Sequence, residues 1–275
     1  MKRFIRTLVS TTLIAAAFCL FSCDNDSEGF GFTGKDGLPS AFKTDNRTIY
    51  LSYSGNQLLK MMEKDGSTTS FNYEGNEFQG VSFAPPADPN IADGHGFVDF
   101  EKEGNKIIVK QGGEPSMDVS YNQEIELDEN GLPIKITDLG AFQMTGEGYK
   151  KIGDGRNYSI LTFDPSTKNL SKLEIFSLED SKLITTHTFT YNNQPGSMSQ
   201  VELPSWFFGF WFQKSLYSTG VYPRQYLSHQ NTLTEETITD GETGNTQTIH
   251  YKYAYNKQSY PISVDNGNES MEIKY

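Results

Sequence analysis

The sequence predicts an all-β fold: an antiparallel meander of hairpins, strongly curved or closed into a barrel-like sheet. Two observations indicate this fold class. Apolar residues fall on alternate positions in many short segments, for example Ile249, Tyr251 and Tyr253, and a period of two is that of a β-strand. Short turns rich in Gly and Asn join the segments and supply the positive φ angles that tight hairpins need. About sixteen such strands would leave exposed edges unless the sheet curls round.

A degenerate hairpin repeat opens the strand pattern, which begins at Thr48. The segments Tyr53-Ser54-Gly55-Asn56 and Tyr73-Glu74-Gly75-Asn76 share one order of residues and lie 20 residues apart. Two copies at one spacing indicate a repeated supersecondary unit. We expect the tyrosines of such units to line the inner surface of the sheet.

Three segments interrupt the strand pattern. Residues 84–96 contain Pro85, Pro86 and Pro89, which cannot pair in a central strand. The glycine-rich residues 140–155 are predicted to form a longer loop.

His95 lies among glycines and carboxylates, but no second ligand is in sight, so a plain loop histidine is favoured over a metal or proton-transfer site. His187 is predicted to be a packed, hydrogen-bonded core residue within a long strand.

The third interruption, residues 204–226, concentrates aromatic side chains. Six of the seven residues from Trp206 to Phe212 are aromatic, and Pro204-Ser205 is a reasonable helix start. One interpretation is a plug that fills the interior of the curved sheet. The other is a platform for a sugar ring or another apolar ligand, and its candidate contacts are Trp206, Trp211, Tyr217, Tyr222 and Tyr226. Burial of so much aromatic area favours the plug, whereas the three tyrosines are expected to stay exposed.

The N-terminus has the organisation of a processing segment. A basic start is followed by the apolar residues 8–21 and by Leu20-Phe21-Ser22-Cys23, which is similar to the lipobox of bacterial lipoproteins. This resemblance implies a signal peptide over residues 1–22 and acylation of Cys23. Residues 23–46 are predicted to form an acidic, glycine-rich tether, and residues 47–275 a single all-β domain. An uncleaved anchor is the alternative, but the apolar run is short for a span of about 20 residues.

Charge and motif content exclude several function classes. The formal net charge is −12, and removal of residues 1–22 would make it −15, which disfavours a nucleic-acid partner. The sequence holds no G-x-S-x-G elbow, H-E-x-x-H or P-loop. With Cys23 acylated and Cys19 removed, no thiol nucleophile remains. We expect no cofactor and no metal; the remaining catalytic option is a carboxylate pair of the glycosidase type.

The lipobox, the acidic tether, the tyrosine-rich hairpins and the final YKYAYNKQSYPISV…MEIKY together resemble a family of Bacteroidetes lipoproteins. That family has a domain of unknown function with a porin-like fold. The hairpins are also similar to the tyrosine-aspartate repeats of large secreted β proteins. The resemblance implies an antiparallel meander and carries over no catalytic residues.

These observations predict a lipoprotein of the bacterial outer membrane, periplasmic or surface-exposed, held by acyl chains on Cys23. A true membrane porin is the rival architecture, but the alternate positions of the strands carry Lys, Glu, Thr and Ser rather than continuous apolar rows. The expected function is a non-catalytic binding or structural module for a polysaccharide or another envelope protein. The alternative is a glycan- or ester-cleaving hydrolase with an unidentified carboxylate pair.

Overall fold

A computed structural model describes residues 37–86, 95–113, 116–146, 148–214 and 220–275. Within these residues the chain forms eighteen strands, two helices and one 3₁₀ turn. The strands are β1 (Ala41–Lys43), β2 (Thr48–Ser54), β3 (Gln57–Glu63), β4 (Thr68–Glu74), β5 (Glu77–Ala84), β6 (Gly96–Glu103), β7 (Lys106–Gly113), β8 (Ser116–Leu127), β9 (Pro133–Thr145), β10 (Gly148–Gly153), β11 (Asn157–Phe163), β12 (Leu170–Ser177), β13 (Leu183–Pro195), β14 (Asn231–Asp240), β15 (Thr246–His250), β16 (Lys252–Tyr255), β17 (Pro261–Asp265) and β18 (Ser270–Lys274). The helices are α1 (Ser205–Lys214) and α2 (Val221–Arg224), and the 3₁₀ turn is Gln225–Leu227.

The strands form one antiparallel meander that is nearly closed into a barrel, which confirms the predicted fold class. Each strand from β1 to β10 pairs with the next one in the chain, and β9 also pairs with β11. The pairing then continues from β11 to β15 and from β16 to β18. No helix among the described residues is long and apolar enough to span a membrane.

The short strand β1 joins the two ends of the meander. Phe42 pairs with Ile49 of β2 on one side and with Ile273 of β18 on the other, and its side chain is buried. The predicted end of the tether at residue 46 is therefore wrong, because residues from 38 onward pack into the domain. The leucine and phenylalanine of the Leu38–Phe42 segment bury apolar area that a solvated tether would leave in water.

The hairpin repeat forms as predicted. Gly55 and Gly75 have φ angles of 63° and 62° in the turns between β2 and β3 and between β4 and β5, and only glycine adopts this conformation without strain. The predicted loop over residues 140–155 is wrong, because β9 continues to Thr145 and forms a hairpin with β10. Glycines are needed there for close backbone approach: a side chain at Gly140 would collide with the carbonyl of Gly153.

Tyrosines of the strands tie neighbouring segments together from the inside. Tyr53, Tyr73 and Tyr275 pack against the buried core. Their hydroxyls donate hydrogen bonds to the carbonyl oxygens of Pro39, Leu58 and Pro261, at 2.8, 3.0 and 3.1 Å. Because each bond reaches back 14 or 15 residues, the repeated tyrosine satisfies a backbone carbonyl of the preceding strand or segment.

Candidate functional site

Helix α1 fills the interior of the curved sheet. Phe207 and Phe210 are fully buried. The ring centroid of Phe207 lies 4.9 Å from that of Phe78 in β5, and the ring centroid of Phe210 lies 5.7 Å from that of Phe100 in β6. On its other side Phe212 lies 5.4 Å from the ring of Phe189 in β13. Contacts with strands from both halves of the meander make α1 the packing centre of the domain.

The aromatic residues that the sequence analysis named as candidate ligand contacts and that the structure describes pack around helix α1, where they are half-buried or buried. Trp206 and Trp211 are half-buried, Trp206 against Phe100 at 4.8 Å between ring centroids. Tyr226 is only 2 % exposed, so the expectation that it stays in solvent is wrong. Helix α2 and the 3₁₀ turn fold the chain back under α1, which places the ring of Tyr226 6.0 Å from that of Trp211.

The side chain of Tyr222 packs beside Tyr226 rather than being presented to a ligand. Its hydroxyl lies 2.9 Å from that of Tyr226, and the guanidinium of Arg47 covers its ring at 5.0 Å. Burial raises the pKa of Tyr222 to about 12, against the opposing effect of the Tyr226 hydroxyl and Arg47. Tyr217 and Cys23, the remaining predicted site residues, lie outside the described residues.

A buried charge network joins α2 to β13, β14 and the segment between β15 and β16. The carboxylate of Glu236, which is 0 % exposed, accepts hydrogen bonds from Arg224 Nε at 2.9 Å and from the Tyr251 hydroxyl at 3.0 Å. His187 Nδ1 lies 2.9 Å from Glu236 Oε1. The prediction that His187 is a packed, hydrogen-bonded core residue is confirmed.

The ionisation of this network follows from its partners. Burial acts to raise the pKa of Glu236, but the hydrogen bonds and charges of His187 and Arg224 outweigh burial and hold it at about 2. Burial also raises the pKa of Tyr251, and the neighbouring Glu236 carboxylate raises it further. Because the four side chains are 0–5 % exposed, the network is closed to substrate, and removal of one charged partner would leave the other buried and unpaired.

A groove of about 850 Å³ lies at the end of the hairpin repeat. Its walls are the β2–β3 turn, the end of the β4–β5 hairpin and residues 202–204, which precede α1. Glu202 forms a parallel bridge with Gln57, and its amide donates a 2.8 Å hydrogen bond to the carbonyl of Asn56. This bridge fixes the segment that leads into α1 against the first repeat.

The groove combines amide, carboxylate and aromatic side chains. Asn56, Gln57 and Asn76 supply amides, and Glu202 supplies an exposed carboxylate. The phenol of Tyr73 and the ring of Phe78 complete the lining. Burial raises the pKa of Tyr73 to about 12, and the charge of Glu202 adds to this shift. The phenol is therefore neutral and donates a hydrogen bond to the carbonyl oxygen of Leu58.

The described residues give no indication of a metal or cofactor site. No three His, Cys, Asp or Glu side chains among them come together as metal ligands. His95 is exposed, and Asp93 and Gly94, its neighbours in the predicted loop, lie outside the described residues.

Comparison with known proteins finds solved structures at low similarity. No protein-family model matches the sequence, and no curated protein matches it. A crystal structure of a porin-like protein from Bacteroides uniformis ATCC 8492 matches 86 % of this chain and 97 % of its own, with 12 % identity and a TM-score of 0.36. A porin-like protein from Bacteroides vulgatus ATCC 8482 covers 86 % of this chain and 98 % of its own, with 7 % identity and a TM-score of 0.36. The case for a function therefore rests on this chain's own residues.

The sequence alone did not reveal the groove, although it contained part of the signal. The two Gly-Asn turns were recognised as a repeat, but Glu202 and Leu203 are separated from them by more than a hundred residues. Only the fold brings the segment before α1 against the turns. One candidate ligand contact from the sequence analysis, Trp206, lies next to the groove: its ring is 6.2 Å from that of Phe78 in the groove wall.

Proposed function

We propose that the protein is an envelope lipoprotein, anchored through acyl chains on Cys23, that binds a polysaccharide in the groove without cleaving it. The groove is the observation that carries this proposal. Its volume of about 850 Å³ falls in the range of about 300–1,000 Å³ that is usual for small-molecule sites. It is also open to solvent, as a site for one stretch of a long polymer must be.

The lining chemistry suits a neutral, hydroxyl-rich ligand. Side-chain amides offer both donors and acceptors, so Asn56, Gln57 and Asn76 can hydrogen-bond to a sugar hydroxyl whether that hydroxyl donates or accepts. Tyr73, which is half-buried, supplies apolar area against which a sugar ring can lie, with the buried ring of Phe78 packed behind it. The carboxylate of Glu202 accepts hydrogen bonds and, being charged, forms the stronger ones.

The carboxylate content of the groove favours binding over hydrolysis. A glycosidase of the usual kind needs two carboxyl groups about 5–10 Å apart across the bond that it breaks. Among the described residues that line the groove, Glu202 alone carries a carboxylate. The hydrolase alternative therefore lacks its second group at this site.

The test is a glycan binding screen on the full chain in detergent, followed by calorimetric titration of the saccharides that bind. We expect Asn76→Ala and Glu202→Gln each to weaken binding by about tenfold, the equivalent of one hydrogen bond of about 1.4 kcal/mol. Asn105→Ala is the matched control, because Asn105 is also an exposed residue after a positive-φ glycine, in the β6–β7 turn.

Three results would contradict the proposal. The first is the absence of saturable binding to any saccharide of the screen. The second is equal binding by the Asn76→Ala and Asn105→Ala variants, which would place the ligand elsewhere. The third is the release of new reducing ends during incubation with a bound saccharide, which would favour the hydrolase.

A further inference from the structure

The groove at the end of the hairpin repeat is a split in the sheet between β3 and β4. Strand β3 pairs with β2 along its length, from Gln57 to Glu63, but it pairs with β4 only through Lys60, Met61 and Met62. Towards the two Gly-Asn turns the strands therefore separate. The groove opens where their pairing ends, because its lining comes from both hairpins.

Other groups take the place of β4 along the open edge of β3. The carbonyl oxygen of Asn56 accepts a hydrogen bond from the amide of Glu202 at 2.8 Å, and Glu202 bridges Gln57 in parallel. The carbonyl oxygen of Leu58 accepts a hydrogen bond from the Tyr73 hydroxyl at 3.0 Å. Since these main-chain groups have partners, the split is a stable part of the fold and not an unpaired edge.

The side chain of Tyr73 forms the floor of the split. It belongs to β4 and its hydroxyl reaches Leu58 of β3, so its half-buried ring lies across the gap between the strands. The buried ring of Phe78 packs behind it, at 5.4 Å between ring centroids. Leu203 and Pro204, both half-buried, add apolar area from the segment before α1. The deeper part of the groove is therefore apolar at two places.

The polar side chains of the groove belong to the turns that border it. Asn56 and Gln57 come from the β2–β3 hairpin, and Asn76 comes from the β4–β5 hairpin. Among the described residues that line the groove, Glu202 is the only charged one, so an anionic sugar meets no opposite charge there. The matching ligand is uncharged, with an apolar face towards Tyr73 and hydroxyls along both edges.

Sugar stereochemistry separates the ligands that meet this description. In a pyranose whose substituents are all equatorial, both ring faces carry only C–H groups and the hydroxyls point outwards around the ring. An axial hydroxyl instead stands on one face, and against the ring of Tyr73 or the side chain of Leu203 it would lose its hydrogen bonds to water without gaining a partner. Such burial of a polar group costs the free energy of its desolvation.

The extent of the groove prevents a chain from avoiding this cost. The volume of about 850 Å³ is enough for more than one sugar ring. Consecutive rings of a β-1,4-linked chain are turned over relative to one another, so they present opposite faces to the same side of the groove. A chain with an axial hydroxyl on every ring therefore cannot turn all of these hydroxyls away from the two apolar contacts at Tyr73 and Leu203–Pro204.

We propose that the groove is specific for neutral β-linked glycans whose ring substituents are all equatorial, with Tyr73 and Leu203 against the ring faces and the amides of the turns at the hydroxyl edges. Glucans and xylans with β-1,4 linkages belong to this class, and mannans do not. The inference rests on the proposed polysaccharide binding and goes beyond it by naming the configuration of the sugar.

Calorimetric titration of the full chain in detergent with cellotetraose and with β-1,4-mannotetraose tests the inference. The two probes have the same composition, charge and linkage, and they differ only in the configuration of one carbon of each ring. We expect cellotetraose to bind about tenfold more tightly or better, because the axial hydroxyls of mannotetraose are buried without partners.

The Leu203→Asn variant tests the assigned contact. An amide at this position offers a partner to an axial hydroxyl, so the preference for cellotetraose should shrink. Leu178→Asn is the matched control, because Leu178 is a leucine that is 39 % exposed and lies directly after β12, outside the groove lining. The unfolding temperatures of both variants show whether they fold.

Equal affinities of the two probes, or tighter binding of mannotetraose, would overturn the inference, and this ranking by the unaltered protein decides even if Leu203→Asn does not fold. Binding of another saccharide of the screen without binding of cellotetraose would also overturn it. So would a folded Leu203→Asn variant that keeps the full preference, or an equal loss of preference in Leu178→Asn. In all these cases saccharide binding itself persists, whereas the absence of binding to any saccharide contradicts the proposed function.

Discussion

Replacement of Glu236 by Gln should destabilise the protein more than any surface charge change. The substitution keeps the size of the side chain but removes the charge beside Arg224, which is 1 % exposed. Breaking a buried ion pair by removal of one partner costs about 3–5 kcal/mol. The pKa gives a similar magnitude, since a shift from 4.5 to about 2 corresponds to about 3 kcal/mol at about 1.4 kcal/mol per unit.

The pH dependence of this effect has a defined sign. The pKa of Glu236 is lower in the folded state than its ordinary value, so its contribution is fully present above about pH 4.5 and is lost as the pH falls through about 2. Urea denaturation at pH 7 and pH 3 measures the free energy of unfolding of both proteins. We expect the difference between wild type and Glu236→Gln to shrink by about 2 kcal/mol between these pH values.

Glu235 provides the matched control for Glu236. It is the preceding residue and also pairs with a histidine, His250, at 3.1 Å, but both side chains are solvent-accessible. Glu235→Gln should therefore change the free energy of unfolding by less than about 1 kcal/mol. Equal effects of the two substitutions, or a cost below about 1 kcal/mol for Glu236→Gln, would refute the interpretation of the network as a stabilising buried cluster.

Three further predictions concern the anchor, the aromatic helix and a buried histidine. Cys23→Ala should release the protein from membranes in cell fractionation, because no covalent acyl chain remains; retention in high salt would contradict this. Trp206→Ala and Trp211→Ala should each lower the free energy of unfolding in urea by about 3 kcal/mol, and neutral variants would contradict the plug. Burial lowers the pKa of His229 to about 4, so stability should fall by about 3 kcal/mol from pH 6.5 to pH 4. His229→Phe, which keeps a ring against Phe208, should remove this pH dependence, and an unchanged pH profile would contradict the assignment.

The fold class could be predicted because local signals agree with the global structure. Alternation and Gly-Asn turns specify hairpins by themselves, and a series of hairpins has few ways to pair other than with its neighbours. The aromatic run was recognised for the same reason, since α1 begins at Ser205 directly after Pro204. Strand β1 was missed because three residues, Ala41–Lys43, are too short to show a period.

The partners of His187 in the polar interior could not be predicted, because they depend on the strand register. Strand β14 reads as a polar strand, and Glu236 is no different in sequence from Glu235. Glu236 pairs with Phe189 of β13, and Phe189 lies two positions after His187 in the same strand. Only this register turns the side chain of Glu236 inward. The groove depends in the same way on contacts between distant segments.

The emission of single-tryptophan variants tests the central claim, that the groove beside the hairpin repeat holds the ligand. Trp206 packs on Phe78, which lines the groove, whereas Trp211 lies further along α1 and stacks on Phe83 at 6.0 Å. In the Trp211→Phe variant, saturating saccharide should shift the emission of Trp206, and in the Trp206→Phe variant the emission of Trp211 should stay constant. Constant emission of Trp206 in the presence of a saccharide that binds, or a shift confined to Trp211, would contradict the assignment of the groove.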